Sequence, residues 1–367
     1  MSAQAFATST MTLPPALQPL VRPDLAGFAG YASAARERGA GSVRLDANES
    51  PHANAADRGG RLRRYPPPQP QALREALADL YGSRPENLLL CRGSDEAIDL
   101  LVRGCCRAGL DPVLVTPPTF GMYAVAARLQ GAPLQTFAQQ AGGAGFALDF
   151  AALEARARDT GARVLFLCSP GNPTGQALDP DAVLALAQAL QGRCLVVLDE
   201  AYVEFADVRS LAPSAGTPTN LCVLRTLSKA HALAGARIGA LVAAPELVAW
   251  LARLQAPYPL PVPSVAAALA ALAPAARAAT RTRIAAVVAQ RERMAKALVR
   301  SPRVRAVLPS QANFLAVRFV DADDALARLA AAGIIVRDQR AQPGLADVLR
   351  ISIGSARENA ALLEALA

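Results

Sequence analysis

Lysine is almost missing from this chain: of 38 basic residues only Lys229 and Lys296 are lysines, and the other 36 are arginines. In a background that drifts toward arginine, a retained lysine is a candidate for work that needs a primary amine, because a guanidinium forms no imine with an aldehyde. Lys296, in Arg291-Glu292-Arg293-Met294-Ala295-Lys296, reads as a solvated helix residue, which leaves Lys229, in Thr226-Leu227-Ser228-Lys229, as the candidate. Histidine is equally scarce, with His52 and His231 alone, so neither a His-rich metal site nor a compact Ser-His-Asp site is signalled, and no metal is expected. His231, two residues past Lys229, reads as packing behind a site. The six cysteines at 91, 105, 106, 168, 194 and 222 form no C-x-x-C pair and several lie in apolar runs. That usage suits buried reduced thiols in a cytosolic protein better than a disulfide frame.

The opening stretch lacks the basic start and apolar block of an export signal, its first charged side chain being Arg22. Met11 is an alternative start. The uncharged run 256–276 has membrane-spanning length but holds Pro257, Pro259, Pro261, Pro263 and Pro274, which break a spanning helix. It reads as an extended connector followed by a buried Ala/Leu helix, and no membrane partner is expected. The net charge of +8 is spread along the chain, with no zinc-finger spacing or helix-turn-helix unit, so nucleic acid is not expected as a partner. The densest basic cluster, Arg61-Leu62-Arg63-Arg64, reads as a solvated edge, with a funnel for small anions as the alternative. At 367 residues and 52% apolar the chain can fill a large core, one big domain plus a smaller one.

What is present is a strand–helix alternation beginning near residue 42, after a Pro-spotted arm. Apolar runs at 87–91, 112–116, 163–168, 194–198 and 220–224 are each followed by a polar motif: Gly93-Ser94-Asp95-Glu96, Pro117-Pro118-Thr119-Phe120, Ser169-Pro170-Gly171-Asn172, Asp199-Glu200 and Thr226–Lys229. Continuous apolar strands separated by helices specify an α/β fold with a mainly parallel central sheet covered on both faces. Ligands in such sheets gather beyond the carboxyl ends of the strands, which is where every one of these motifs falls. After about residue 265 come long Ala/Arg/Leu helices, then apolar stretches at 314–319, 333–337 and 348–353 that read as the strands of a smaller α+β domain. The expected division is an N-terminal arm at 1–44 that also forms part of the small domain, a large cofactor-binding domain at 45–264 and a small C-terminal domain at 265–367.

A lysine that works through an imine implies a carbonyl cofactor, and pyridoxal 5'-phosphate is the candidate. Asp199 ends an apolar strand, where an unpaired carboxylate is costly and a protonated ring nitrogen would satisfy it; an N-cap role is the alternative. Tyr202 and Asn172 can donate to a ring oxygen, although Asn172 also suits a turn. Ser94 and Asp95 open a helix whose free N–H groups favour an anion, or serve as an ordinary cap. Ser228 and Arg237 flank the lysine, and an arginine fork suits phosphate. Phe120 is a stacking face for a ring, or a core aromatic.

These residues sit in motifs that resemble the fold-type I pyridoxal-phosphate-dependent aminotransferases of the class II group, from about Tyr31 to Gly354. The carriers are LDANESP (45–51), RYPPPQP (64–70), RGSDEAIDLL (92–101), PPTFGMY (117–123), SPGNPTG (169–175), LDEAYVEF (198–205) and TLSKAHALAGARIG (226–239). APYPL (256–260), GIIVRDQ (333–339) and LRISIG (349–354) lean toward the branch that transaminates L-histidinol phosphate with 2-oxoglutarate. The resemblance implies that Lys229 holds the cofactor as an imine, Asp199 pairs with the ring nitrogen, and Tyr202 and Asn172 contact the ring oxygen. It implies that Ser94, Asp95, Ser228 and Arg237 hold the cofactor phosphate, and that Tyr65 reaches the cofactor phosphate of a partner subunit in a homodimer. Arg350 would take the substrate's carboxylate or phosphate, with Arg337 and Tyr31 nearby and Asn172 also facing the substrate. Two positions depart from the pattern: Phe120 stands where tyrosine is common, and Pro-Gly-Asn replaces Pro-Asn-Asn. Aromatic amino-acid transamination and threonine-phosphate decarboxylation are the rival activities on this fold. A ligand sensor fused to a DNA-binding module is a remote third, since only about 40 residues precede LDANESP.

Overall fold

The computed structural model describes residues 13–31, 43–142 and 145–367; the segments 1–12, with Met11, and 32–42, within the expected arm, lie outside them. Helix α1 (Gln71–Tyr81), strand β1 (Leu88–Cys91) and α2 (Ser94–Cys105) come first. Then follow β2 (Val113–Val115), α3 (Met122–Gln130), β3 (Leu134–Thr136) and a small hairpin of β4 (Gln140–Gly142) and β5 (Gly145–Ala147). Next are α4 (Phe150–Asp159), β6 (Val164–Cys168), α5 (Pro180–Ala189), β7 (Leu195–Asp199), β8 (Leu221–Thr226) and β9 (Gly239–Val242). Helices α6 (Pro245–Leu254), α7 (Val262–Leu272) and α8 (Pro274–Leu298) lead to β10 (Val304–Val307), β11 (Phe314–Phe319), α9 (Ala322–Ala331), β12 (Arg337–Asp338), β13 (Val348–Ser352) and α10 (Ala356–Ala365).

The central sheet has seven strands in the order β1-β9-β8-β7-β6-β2-β3. Strands β3, β2, β6, β7 and β8 pair in parallel, while β9 runs antiparallel to both β8 and β1. The alternation within each strand explains why the runs are apolar throughout. Val164 and Phe166 face a core shared with α2, α3 and α6, whereas Leu165 and Leu167 face a second core with α1, α4 and α5. Side chains covered on both faces leave no polar stripe to read. Each such leucine contributes roughly 1.5–3 kcal/mol by leaving water. Leu17 and Leu20 of the arm are fully buried in the first core, so this part of the arm is packed onto the sheet's helices.

A second, four-stranded antiparallel sheet has the order β10-β11-β13-β12. Its core is built by Leu315, Val317, Phe319, Leu349 and Ile351 against α8, α9 and α10. Two expectations need correction. The helix after the Pro-rich connector, α7, buries only Ala268 and Leu272 and leaves much of its alanine surface open, because one narrow stripe meets α1 and the central core. The stretch 333–337 is not a full strand: Gly333, at φ 71°, ends α9 in the left-handed region, and pairing with β13 begins only at Arg337. No single helix among the described residues is long and apolar enough to cross a membrane; α7 and α8 meet that test only as a pair bent by 76°.

Candidate active site

The carboxyl ends of β1, β2, β6, β7 and β8 deliver Ser94, Phe120, Asn172, Asp199 and Lys229 to one edge of the sheet. There they line a cavity of about 210 Å³ together with Asp95, Tyr202, Ser228, Arg237 and Arg350. Arg237 reaches this edge because β9 is reversed, so its starting end lies beside the finishing end of β8, with Thr226 opposite Gly239.

Asp199 is 3% exposed. Its Oδ2 accepts from the Tyr123 hydroxyl at 2.8 Å and its Oδ1 from the Ala201 N–H at 3.1 Å. Burial pushes its carboxyl up to about 6, against the downward pull of those two bonds. Both donors are neutral, and no cation pairs with it among the described residues. A carboxylate so placed is suited to a cationic ligand group. Tyr123 is fully buried, stacked on Phe166 at 4.6 Å and edge-on to Phe120 at 5.6 Å. The sequence assigns no individual role to Tyr123 or to the cavity-lining Cys168 and Thr226, although Tyr123 and Thr226 lie within PPTFGMY and TLSKAHALAGARIG.

Lys229 Nζ lies 5.7 Å from the centre of the Tyr202 ring and makes no hydrogen bond or ion pair among the described residues. Burial, assisted by the Arg350 charge, holds its amine below the ordinary lysine value, while Asp95 and Asp199 pull the other way. Burial also raises the Tyr202 phenol, which keeps it a hydrogen donor. Asn172 Nδ2 donates to the Tyr202 oxygen at 3.3 Å, and Asn172 Oδ1 accepts from Arg350 Nη1 at 2.5 Å.

At the far end of the cavity, Arg237 Nη2 bonds Asp95 Oδ2 at 2.9 Å and Nη1 stands 3.5 Å from Ser228 Oγ. The start of α2 lies alongside. Gly93 there has φ 76°, and a Cβ on it would meet Arg237 Nη2 at 2.4 Å; a Cβ on Gly239 would meet the Gly93 carbonyl carbon at 2.5 Å. The missing side chains let guanidinium, helix start and β9 close on one another, forming an anion cradle. The Asp95 carboxylate faces the guanidinium, so what Asp95 offers an anion is its backbone N–H and its hold on Arg237.

Arg337 and Arg350 are cross-strand neighbours on β12 and β13. They line a second cavity of about 580 Å³ that shares Phe120, Asn172 and Arg350 with the first. The structure does not bring the other two expected residues into either cavity. Tyr31 is 63% exposed at the border of the described chain, and Tyr65 is 50% exposed and stacked on Tyr258 at 4.4 Å. His231 is buried away from the cavity, Lys296 is exposed and all six cysteines are free and buried, as the sequence suggested.

Behind the Asp199 and Lys229 segments lies a buried ionic cluster with no sequence signature. Arg225 Nη2 bonds Glu204 at 2.6 Å, its Nη1 bonds Ser210 at 2.9 Å and Glu200 at 3.3 Å, and its guanidinium covers the Tyr81 ring at 4.5 Å. Glu200 follows Asp199, so the cluster fixes the segments that carry both functional groups. Arg225→Met removes the cation shared by two carboxylates, one of them fully buried. A denaturant melt should show a loss of about 3–5 kcal/mol, a large part of a typical domain's stability.

A family model described as aminotransferase class I and II matches residues 39–366. Histidinol-phosphate aminotransferase of Xanthomonas axonopodis pv. citri (strain 306) is 57% identical over 347 residues, which cover 95% of this chain and 96% of that protein. The protein of the same name from Stenotrophomonas maltophilia (strain R551-3) is 56% identical, covering 95% of each chain. Among solved structures, histidinol-phosphate aminotransferase from Sinorhizobium meliloti in complex with pyridoxal-5'-phosphate superposes with a TM-score of 0.76 at 29% identity, over 87% of this chain and 88% of that one. With its lysine, buried aspartate and anion cradle assembled at one sheet edge, the chain belongs to the class I and II aminotransferases.

Proposed function

We infer that the protein is a pyridoxal-phosphate-dependent enzyme that moves an amino group from L-histidinol phosphate to 2-oxoglutarate, yielding imidazole acetol phosphate and L-glutamate in histidine biosynthesis. The high identity to histidinol-phosphate aminotransferases along nearly the whole chain supports this reading. The observation in the fold that carries it is the arginine pair on β12 and β13, lining a cavity that shares Phe120, Asn172 and Arg350 with that of Lys229.

The cofactor, when bound, supplies an aldehyde for the substrate's amine and a ring that spreads the charge left by a departing proton. The residues fit it. Lys229 Nζ, with its lowered proton affinity, would hold the aldehyde and, when free, would be the base that moves the substrate's proton. Asp199 keeps a proton on the ring nitrogen and is itself held by Tyr123. Tyr202 and Asn172 donate to the ring oxygen and Phe120 covers the ring face. Ser94, Ser228, Arg237 and the first N–H groups of α2, that of Asp95 included, hold the phosphate. Arg350 and Arg337 would take the substrate's anionic end, while Tyr31 lies outside both cavities of its own chain.

Two copies make the working enzyme in this reading. Tyr65, half exposed beside Tyr258 and outside its own cavity, reaches the cofactor phosphate of the partner. A large unit, 45–264, carries the chemistry, a small one, 265–367, carries the arginine pair, and the arm's residues 13–21 pack on the large unit. The setting is cytoplasmic. Arg337→Ala should lower kcat/KM for L-histidinol phosphate by about a hundredfold, roughly the 2–3 kcal/mol of a charge-assisted pair. A phosphate-free amine donor should lose less than threefold. Equal losses on both donors, measured as glutamate formed, would refute the phosphate assignment.

A further inference from the structure

The second cavity is bounded by residues from both sheets, and the sequence gives no hint of what sets its width. Phe120 comes from the loop after β2, whereas Arg337 and Arg350 come from the C-terminal sheet. Besides the Arg350–Asn172 bond, a second side chain ties the C-terminal sheet to this cavity's other wall: Gln342 Oε1 accepts from the Thr119 N–H at 2.9 Å, across 223 residues.

Both ends of that bond are anchored. On one side, Gln139 Nε2 donates to the carbonyls of Thr116 and Pro118, at 2.9 Å each, which fixes the loop to the large sheet. On the other, Gln342 Nε2 donates to the buried Gln339 Oε1 at 3.2 Å, and the Gln342 N–H bonds the Gln339 carbonyl at 3.0 Å. The Gln339 N–H in turn bonds Val348 at the start of β13, and Leu345, fully buried, seats the turn against Val348 and Phe146. The Thr119 hydroxyl is buried without a partner among the described residues, so its backbone N–H is the polar contact through which this residue meets the C-terminal sheet.

We propose that Gln342 is a positioning residue for the substrate's anionic end: it clamps the turn joining β12 to β13 onto the Phe120 loop, and so sets the distance between the arginine pair and the reacting centre. This rests on the substrate reading above. The dianionic phosphate must meet two guanidinium groups at once, so a shift of the turn costs binding, while Lys229, Asp199 and Arg237 stay on the other sheet and are undisturbed.

The test uses the holoenzyme with Gln342→Met, which keeps the length of the side chain without an acceptor, and Gln342→Asn, which keeps the amide but is one methylene too short. Each should raise KM for L-histidinol phosphate about tenfold, with kcat within about threefold of the parent. Competitive inhibition by inorganic phosphate should weaken in step. The visible absorbance of bound cofactor and the melting temperature should hold. A KM within twofold of the parent in either folded variant overturns the proposal. So does a KM rise that comes with lost cofactor absorbance or a melting temperature lower by more than about 5 °C, which marks a merely structural role. Failure of the substrate reading looks different: the unaltered enzyme would then ignore the phosphorylated donor and resist inorganic phosphate. The clamp would in that case be judged by the same KM criterion on the donor the enzyme prefers.

Discussion

Lys229→Arg will yield a folded protein that shows no absorbance from a lysine-bound cofactor and no transamination. The substitution keeps the positive charge and much of the bulk, and Nζ has no hydrogen bond or ion pair to lose among the described residues. The melting temperature should therefore stay within a few degrees of the parent. The chemistry is lost outright, because a guanidinium neither forms the imine nor gives up a proton near neutrality. The rate should fall on the order of 10⁴-fold or more, the scale on which removal of a covalent catalyst acts. Lys296→Arg is the matched control, since its side chain lies exposed on α8. An active Lys229→Arg enzyme would end the imine reading altogether.

Asp199→Asn should leave the shape of the cavity intact and lower kcat by about a hundred- to a thousandfold, ~3–4 kcal/mol, as expected when an electrostatic partner of the reacting group is removed. A second signature separates this from a packing defect. Burial raises the Asp199 carboxyl from 3.8 to about 6, so without a cationic ligand its folded form prefers to be protonated. The unfolded chain binds fewer protons than the folded one between these values, and stability falls as pH rises from about 4 through 6. The loss is on the order of 3 kcal/mol for a shift of this size. Melts of the cofactor-free parent at pH 5 and 7.5 should show about half of this component, roughly 1–1.5 kcal/mol, and the Asn variant should lack it. The cofactor's ring cation offsets it, so the stabilisation given by the cofactor should grow as pH rises through about 6. Parallel pH profiles for parent and variant would refute the assignment of this titration to Asp199.

Much of this site was legible because the sheet is parallel. Each apolar strand runs to the same edge, so a polar motif at its end marks the site by position alone, as at Asp199, Asn172 and Lys229. What escaped notice depends on register between distant segments. Tyr123, one turn past Phe120, has the look of a core aromatic, and only its approach to Asp199, 76 residues away, reveals a function. Arg225 lies near the end of an apolar strand and reads as one more scattered arginine; only the fold closes Glu200 and Glu204 around it. The reversal of β9 left no mark in four small apolar residues, although it is what carries Arg237 into place. Gln342 sits in a turn whose partner is on the other sheet, and no local periodicity encodes that. Conversely, Tyr31 and Tyr65 rested on resemblance alone, and within one chain neither reaches the cavity.

The reversed strand has one more consequence. Thr226 and Gly239 are opposed on adjacent strands, and Leu227 bonds the Ile238 carbonyl at 3.0 Å, so the segment from 226 to 239 is a closed loop. In the reading proposed above, Lys229 and Arg237 would be two handles on a single loop of chain, one at the cofactor's aldehyde and the other at the phosphate arm beside it. With Lys229 released, Arg237 would still hold the phosphate. The amine would then meet the aldehyde at an effective concentration in the millimolar range or above, so recapture would be an intramolecular event whose speed is independent of how much cofactor the surrounding solution holds.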